Sequence, residues 1–215
     1  MIKRILDLAD LKGSDVLAIY PYGSRVYRTE SYQSDYDFIV VHNGDRANDS
    51  QQFDSRSKDL SIHTYHADSW QGHLDAHKIF AIECFSQSPD YASDSFLANP
   101  FKFTLDKPTL RKEISSKASN SWVKCKKKLT VETDEDAYYI GIKSLFHSFR
   151  IPMFGIQIAQ HGRIVDFEVA NDLWWDELEP IASSGYRTEW ESLKEQYQAR
   201  HNELMTEFRK YAEKA

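Results

Sequence analysis

The hydrophobic positions along this chain change their period about halfway. Residues 1–12 carry Ile2, Ile5, Leu6 and Leu8 at helical spacing, which predicts a short amphipathic helix. "DVLAIYPY" (15–22) is an apolar run short enough for a buried strand, and "SDYDFIVV" (34–41) reads as the next. Between them "GSRVYRT" predicts a helical turn, with Gly23-Ser24 at the strand-to-helix corner. "HNGDRANDSQQFDS" (42–55) is polar and turn-rich and predicts a loop. "KDLSIHTYH" (58–66) sets Leu60, Ile62 and Thr64 against Ser61, His63 and Tyr65, the period-two pattern of a third strand. "ADSWQGHLDAHKIFAIECFS" (67–86) has helical spacing, with Asp68 or Ser69 as its N-cap.

"SPDY" (88–91) marks a break, and residues 91–108, with Pro100 and Pro108, read as loop with short pieces. From about Thr109 the pattern is helical only. Residues 109–130 form one long candidate helix and 134–162 a second, with Pro152 at a kink or boundary. "FEVANDLWWDELEPI" (167–181) has no clear period, and residues 188–215 form a strongly helical tail. The reading is an α+β fold: a short mixed sheet with flanking helices over 1–105, followed by an α-helical region over 106–215.

Composition narrows the class. The chain has 215 residues, enough for one or two domains, and its 41% hydrophobic content fills a real core. Twelve Tyr, 12 Phe and 5 Trp argue against disorder. No apolar run approaches the ~20 residues of a membrane-spanning helix, and the charged N-terminus lacks the apolar core of a signal peptide. The expectation is a soluble, cytoplasmic protein with no membrane partner. Cys84 and Cys125 make neither a metal pair nor a disulfide framework. A net charge of -6 fits a small anionic ligand better than a long duplex, whose phosphates call for clustered Lys and Arg.

The chemistry concentrates at Asp35 and Asp37. Residues i and i+2 of a strand share a face, so the two carboxylates project together and repel unless a cation lies between them. Mg²⁺ takes carboxylates together with substrate phosphates. The Gly23-Ser24 corner on the preceding strand offers backbone N–H groups and a hydroxyl to a phosphate, helped by a helix N-terminus. Metal acids and a phosphate perch on adjacent elements describe a nucleotide-phosphate site.

"GSRVYRTESYQSDYDFIVV" resembles the signature of the DNA polymerase β nucleotidyltransferase superfamily: apolar strand, Gly-Ser, about ten residues, then Asp-x-Asp opening a strand. More narrowly, "GSRVY…SDYD" resembles a group of small bacterial and phage-encoded nucleotidyltransferases. The resemblance covers residues 16–90 well and continues weakly to about 180. It implies a polymerase β-like fold whose helical half closes the cleft, and a third carboxylate on a neighbouring strand, for which Asp59 is the best match. It implies two Mg²⁺ ions held by Asp35, Asp37 and Asp59, with Asp59 on the ion that activates the acceptor hydroxyl. Gly23 and Ser24 then hold the β/γ-phosphates, NMP passes from an NTP to a hydroxyl, and pyrophosphate leaves. The acceptor is an RNA or tRNA end, a protein side chain or a small molecule.

One position departs from the narrower group, which has glycine after the tyrosine where this chain has Arg28. Glycine there permits φ > 0. Arg28, like Arg25, either reaches a phosphate bidentately or has a structural or solvent-facing role, and Arg28 equally fits a drifted, less active site. Lys143, His147 and Arg150 fall on one helical stripe and read as nucleotide-binding cations. "KCKKK" (124–128) wraps around its helix and reads as solvated surface. His63, His66, His73 and His77 lack the H-E-x-x-H arrangement of a zinc site. Trp174 and Trp175 read as packing. The runner-up is a catalytically weak nucleotidyltransferase-like regulator or antitoxin bound to a helical partner. The long C-terminal helix could pair with a copy of itself as a homodimer.

Overall fold

The period-two segments become a four-stranded mixed sheet in the order β1-β2-β4-β3. Its strands are β1 (Val16–Tyr22), β2 (Tyr36–His42), β3 (Ser50–Phe53) and β4 (Leu60–His66). The computed structural model describes residues 1–32, 34–45, 49–53, 59–87, 100–132, 135–184 and 186–213. The expected break at 88–91 and residues 91–99 of the expected loop lie outside the described residues. The chain divides into two units, Met1–Thr104 and Leu105–Ala215.

In the first unit β1 runs antiparallel to β2, β2 parallel to β4, and β3 antiparallel to β4. β3 corrects the loop expected over 42–55. Its sequence has no apolar alternation, but it pairs with β4 alone, and an edge strand needs only backbone groups to satisfy its neighbour. The Ser50 and Thr64 hydroxyls meet across this pair at 2.6 Å.

Alternation sends the strands' side chains to two covered faces. On one, Val16, Ile19, Val40, Leu60 and Ile62 pack with Ile5 of helix α1 (Ile2–Ala9). On the other, Ala18, Tyr20, Ile39 and Val41 pack with Trp70 and Leu74 of α3 (Ala67–Asp75) and Ala81 and Cys84 of α4 (Ile79–Phe85). Each large apolar side chain buried this way contributes about 1.5–3 kcal/mol of transfer free energy. That burial fixes the register, and the register places Asp37 on the α3/α4 face, in line with Ile39 and Val41.

The single helix expected over 67–86 is two. His77 adopts φ 54, the left-handed conformation that usually calls for glycine. The Lys78 N–H then returns to the His73 carbonyl at 2.9 Å, and the His77 N–H to Leu74 at 2.9 Å, which closes α3. The buried His77 ring rests on Phe103, with centroids 4.9 Å apart. The α3 N-cap is His66, whose Nδ1 accepts from the Asp68 N–H at 3.4 Å, so neither Asp68 nor Ser69 is the cap.

The second unit is helical: α5 (Lys107–Thr130), α6 (Glu135–His161), a π-helical stretch (Leu173–Leu178), α7 (Glu179–Ser183) and α8 (Trp190–Tyr211). Asp106 caps α5 by accepting from the Thr109 N–H at 2.9 Å. At Gly155 the helices approach so closely that a Cβ would come within 2.9 Å of Phe208 and Ile114 side chains. Pro152 lies inside α6 rather than at its boundary. It has no N–H for the carbonyl of Ser148, four residues back.

Two histidines make this unit acid-sensitive. Burial lowers the pKa of His147, and the Arg150, Lys143 and Lys124 charges lower it further. Burial also lowers that of His201, partly opposed by the nearby Ser148 backbone. Above the ordinary value of 6.5 both rings are neutral, folded or unfolded. As pH falls below it, the unfolded chain takes up protons that the folded unit resists, so stability is progressively lost. Urea midpoints are therefore expected to fall between about pH 7.5 and about pH 5, and to fall less in His147→Gln.

Candidate functional site

The site is built at the corner where β1 ends. Gly23 has φ 80 and ψ -157, a backbone state essentially reserved for glycine. Its conformation turns the chain into α2 (Ser24–Tyr27), a single helical turn in which the Val26 N–H bonds the Gly23 carbonyl at 3.0 Å. One turn carries little macrodipole, so the perch is the first N–H groups of the turn and the Ser24 hydroxyl, not a full helix N-terminus. The Asp37 carboxylate lies directly against this corner. A Cβ on Gly23 would come 2.4 Å from Asp37 Oδ2. Register agrees, since Tyr22 pairs with Asp37 across β1 and β2.

Asp35 stands immediately before β2, two residues ahead of Asp37. Arg25 fixes this segment. Its Nε donates to the Asp35 carbonyl at 3.0 Å, its Nη2 donates to the Ser34 carbonyl, and its guanidinium stacks 3.9 Å over the Tyr36 ring. Arg25 thus braces the acid-bearing loop, the structural role that stood beside phosphate contact in the sequence reading.

Asp59 stands immediately before β4, in the corresponding place. Tyr36 pairs with Leu60, and the Tyr36 N–H donates to the Asp59 carbonyl at 2.7 Å. The backbone thus brings Asp35, Asp37 and Asp59 to one end of two neighbouring parallel strands. The Asp59 side chain, however, is taken by α1. Arg4 Nη1 donates to Oδ2 at 3.0 Å and Nη2 donates to Oδ1, a bidentate pair across 55 residues of sequence. Among the described residues, no group of three or more His, Cys, Asp or Glu side chains is placed to hold a metal ion. Asp35 and Asp37 suit one divalent cation whose other ligands are water and phosphate. The expected three-carboxylate, two-ion arrangement is not assembled while Arg4 occupies both Asp59 oxygens.

Two residues that the sequence left without a role support the corner. The buried Tyr27 hydroxyl donates to the buried Glu83 of α4, tying the end of α2 to the helix layer. A lone acid inside "IFAIECF" is the signal that could have found Glu83. Arg28 caps α2 at φ 60, which lets the Thr29 N–H return to the Ser24 carbonyl at 3.0 Å. The position therefore keeps the glycine-like backbone without the glycine, at a cost of about 1–2 kcal/mol. Arg28→Gly is expected to match or exceed wild-type stability, by up to about 1 kcal/mol once unfolded-chain entropy is counted, as read by urea midpoint.

The stripe read as three cations lies in the second unit. Arg150 is buried and its Nε donates to His147 Nδ1 at 3.2 Å, while its guanidinium rests 4.8 Å from the Phe154 ring centroid. Lys143 lies 5.4 Å from the Tyr139 ring centroid. With His147 held neutral, the stripe carries two cations and an imidazole, not three cations. The histidines of the first unit are dispersed in role: His66 caps α3, His77 ends it, and His73 Nε2 lies 3.8 Å from Asp49. Burial lowers the His63 pKa.

No protein-family profile matches the sequence, and no curated protein does. Among solved structures, the chain is similar to a nucleotidyltransferase-like protein from Exiguobacterium sibiricum. The two are 12% identical, with 98% of this chain and 78% of that one covered and a TM-score of 0.35. A TM-score this low does not establish a shared fold. What stands is an α+β chain with a four-stranded mixed sheet and a helical second unit. None of the helices among the described residues is long and apolar enough to cross a membrane.

Proposed function

We propose that this chain is a nucleotidyltransferase of the polymerase β-like kind, moving a nucleoside monophosphate from an NTP to a hydroxyl acceptor. The observation that supports it best is the glycine corner pressed against Asp37, with Asp35 one alternation away. It puts the Asp37 carboxylate in contact with the phosphate perch, with Asp35 two residues before it. A Mg²⁺ ion bound at Asp35 and Asp37 supplies Lewis-acid charge stabilisation to the phosphates. The chain's own residues do the rest. Ser24 and the turn N–H groups orient the β/γ-phosphates, Arg25 holds the Asp35 segment in place, and Tyr27 with Glu83 anchors the turn. The acceptor hydroxyl loses its proton to solvent as its oxygen bonds to the α-phosphorus, the bond from that phosphorus to the β-bridging oxygen breaks, and pyrophosphate leaves with the electron pair.

RNA ends, protein side chains and small hydroxyl compounds all supply the acceptor chemistry, and an acidic chain favours one without a long phosphate backbone. The reading is tested by Mg²⁺-dependent binding of a fluorescent NTP to wild type, Asp35→Ala and Asp37→Asn. Binding that requires Mg²⁺ and both acids supports it, and equal binding by all three without metal contradicts it.

A second reading, a catalytically weak regulator that covers a helical partner, is favoured by the Arg4 hold on Asp59. A stable complex formed equally by wild type and an Asp35/Asp37 double-alanine variant, without label transfer by either, supports that alternative.

A further inference from the structure

We propose that Arg4 supplies the second positive charge of the site, so that each chain binds one divalent cation, at Asp35/Asp37, and none at Asp59. This rests on the nucleotidyltransferase reading and deepens it.

The inference starts from geometry. The Arg4–Asp59 pair is bidentate, the arrangement in which a guanidinium fork matches both carboxylate oxygens. A partly exposed ion pair is by itself worth little, since solvent screens it and two long side chains must be ordered. Here the two backbones are ordered by the core. Ile5, next to Arg4, and Leu60, next to Asp59, lie in the same buried cluster with Val16, Ile19, Val40 and Ile62. The two partners are delivered to each other by elements that pack for other reasons. A second ion at Asp59 must displace the guanidinium from both carboxylate oxygens.

Asp35, Asp37 and Asp59 carry three negative charges, which one Mg²⁺ with one guanidinium balances before a nucleotide binds. Arginine stays charged at every relevant pH and is weakly hydrated, so it serves as a permanent cation where a lysine would be a looser one. Asp59 thereby becomes the residue that positions Arg4, and not a metal ligand.

The test is an ion count on the full chain. Mn²⁺ is titrated into chain and a non-transferable NTP analogue at equal concentration, and free Mn²⁺ is followed by its EPR signal. In parallel, the arginine side-chain ¹⁵N resonances report whether Arg4 keeps its bond. Wild type is expected to hold one ion per chain, lost in Asp35→Ala, with the Arg4 resonance unchanged at saturation. Arg4→Met, which leaves the Ile5 and Ala9 anchors of α1 in place, is expected to hold two. Arg4→Lys, which keeps the charge, is expected to return to one. Two ions in wild type with release of the Arg4 resonance overturn the inference and leave the proposed function standing. One ion in Arg4→Met also overturns it. No ion in any variant, with no dependence on Asp35, overturns both.

Discussion

Gly23→Ala is expected to weaken Mg²⁺-dependent nucleotide binding on the order of a hundredfold or more, about 2.7 kcal/mol. Two independent effects produce this. At φ 80 and ψ -157 a Cβ strains the backbone by about 1–3 kcal/mol, whatever space surrounds it. The space is also taken, because the new methyl would lie 2.4 Å from Asp37 Oδ2. A carboxylate is the movable end of its side chain, so the fold can survive by swinging it away. The ligand is then lost from the position where the phosphate corner meets it. The signature is a variant whose far-UV circular dichroism matches wild type but whose nucleotide titration is nearly flat. Wild-type affinity in a folded Gly23→Ala chain would contradict the assignment of this corner.

Trp174→Ala is expected to cost about 3–5 kcal/mol, a large share of the ~5–15 kcal/mol that keeps an ordinary domain folded. Trp174 is 2% exposed and packs in one cluster with Phe146, Phe149, Leu178, Leu193 and Tyr197. Its ring stands 5.2 Å from that of Phe146 and 6.5 Å from that of Tyr139. Its Nε1 has no hydrogen-bond partner among the described residues, and a buried orphan donor costs about 1–3 kcal/mol. Trp174→Phe removes that donor along with part of the ring, so it is expected to cost far less than alanine. Hydrogen exchange of amides in Leu105–Ala215 distinguishes the two variants. Equal losses would show that the indole does not anchor the cluster.

The elements readable in the sequence were those that bury a face. Leu60 and Ile62 alternate with Ser61 and His63 because that face of β4 joins the apolar cluster with Ile5, and α1 shows its buried stripe for the same reason. β3 was hidden because an edge strand needs no apolar side chain. The split between α3 and α4 was hidden because His77 takes the left-handed state without a glycine to announce it. Trp174 and Trp175 look alike in sequence, yet one is 2% exposed and the other 42%, since the π-helical stretch turns them to different sides.

The candidate site divides the same way. The Gly-Ser corner and the Asp-x-Asp are local, and their spacing already tells of one shared end of a strand pair. Arg4–Asp59 and Tyr27–Glu83 join residues 55 and 56 positions apart, and no periodicity within either segment announces the partner. Arg4 in particular sits in a helix whose apolar stripe was the only legible feature. The carboxylate triad was therefore drawn without Arg4, which the structure pairs with Asp59.

The most direct measurement is label transfer from α-³²P-labelled NTPs, each of the four in turn, with Mg²⁺ and with bulk cellular RNA and protein as acceptors. Wild type and Asp35→Ala are run side by side. The expected result is Mg²⁺-dependent label on one acceptor class, with pyrophosphate released, for wild type only. Transfer by Asp35→Ala at the wild-type rate, or no transfer and no metal-dependent NTP binding by wild type, would contradict a nucleotidyltransferase centred on Gly23, Asp35 and Asp37.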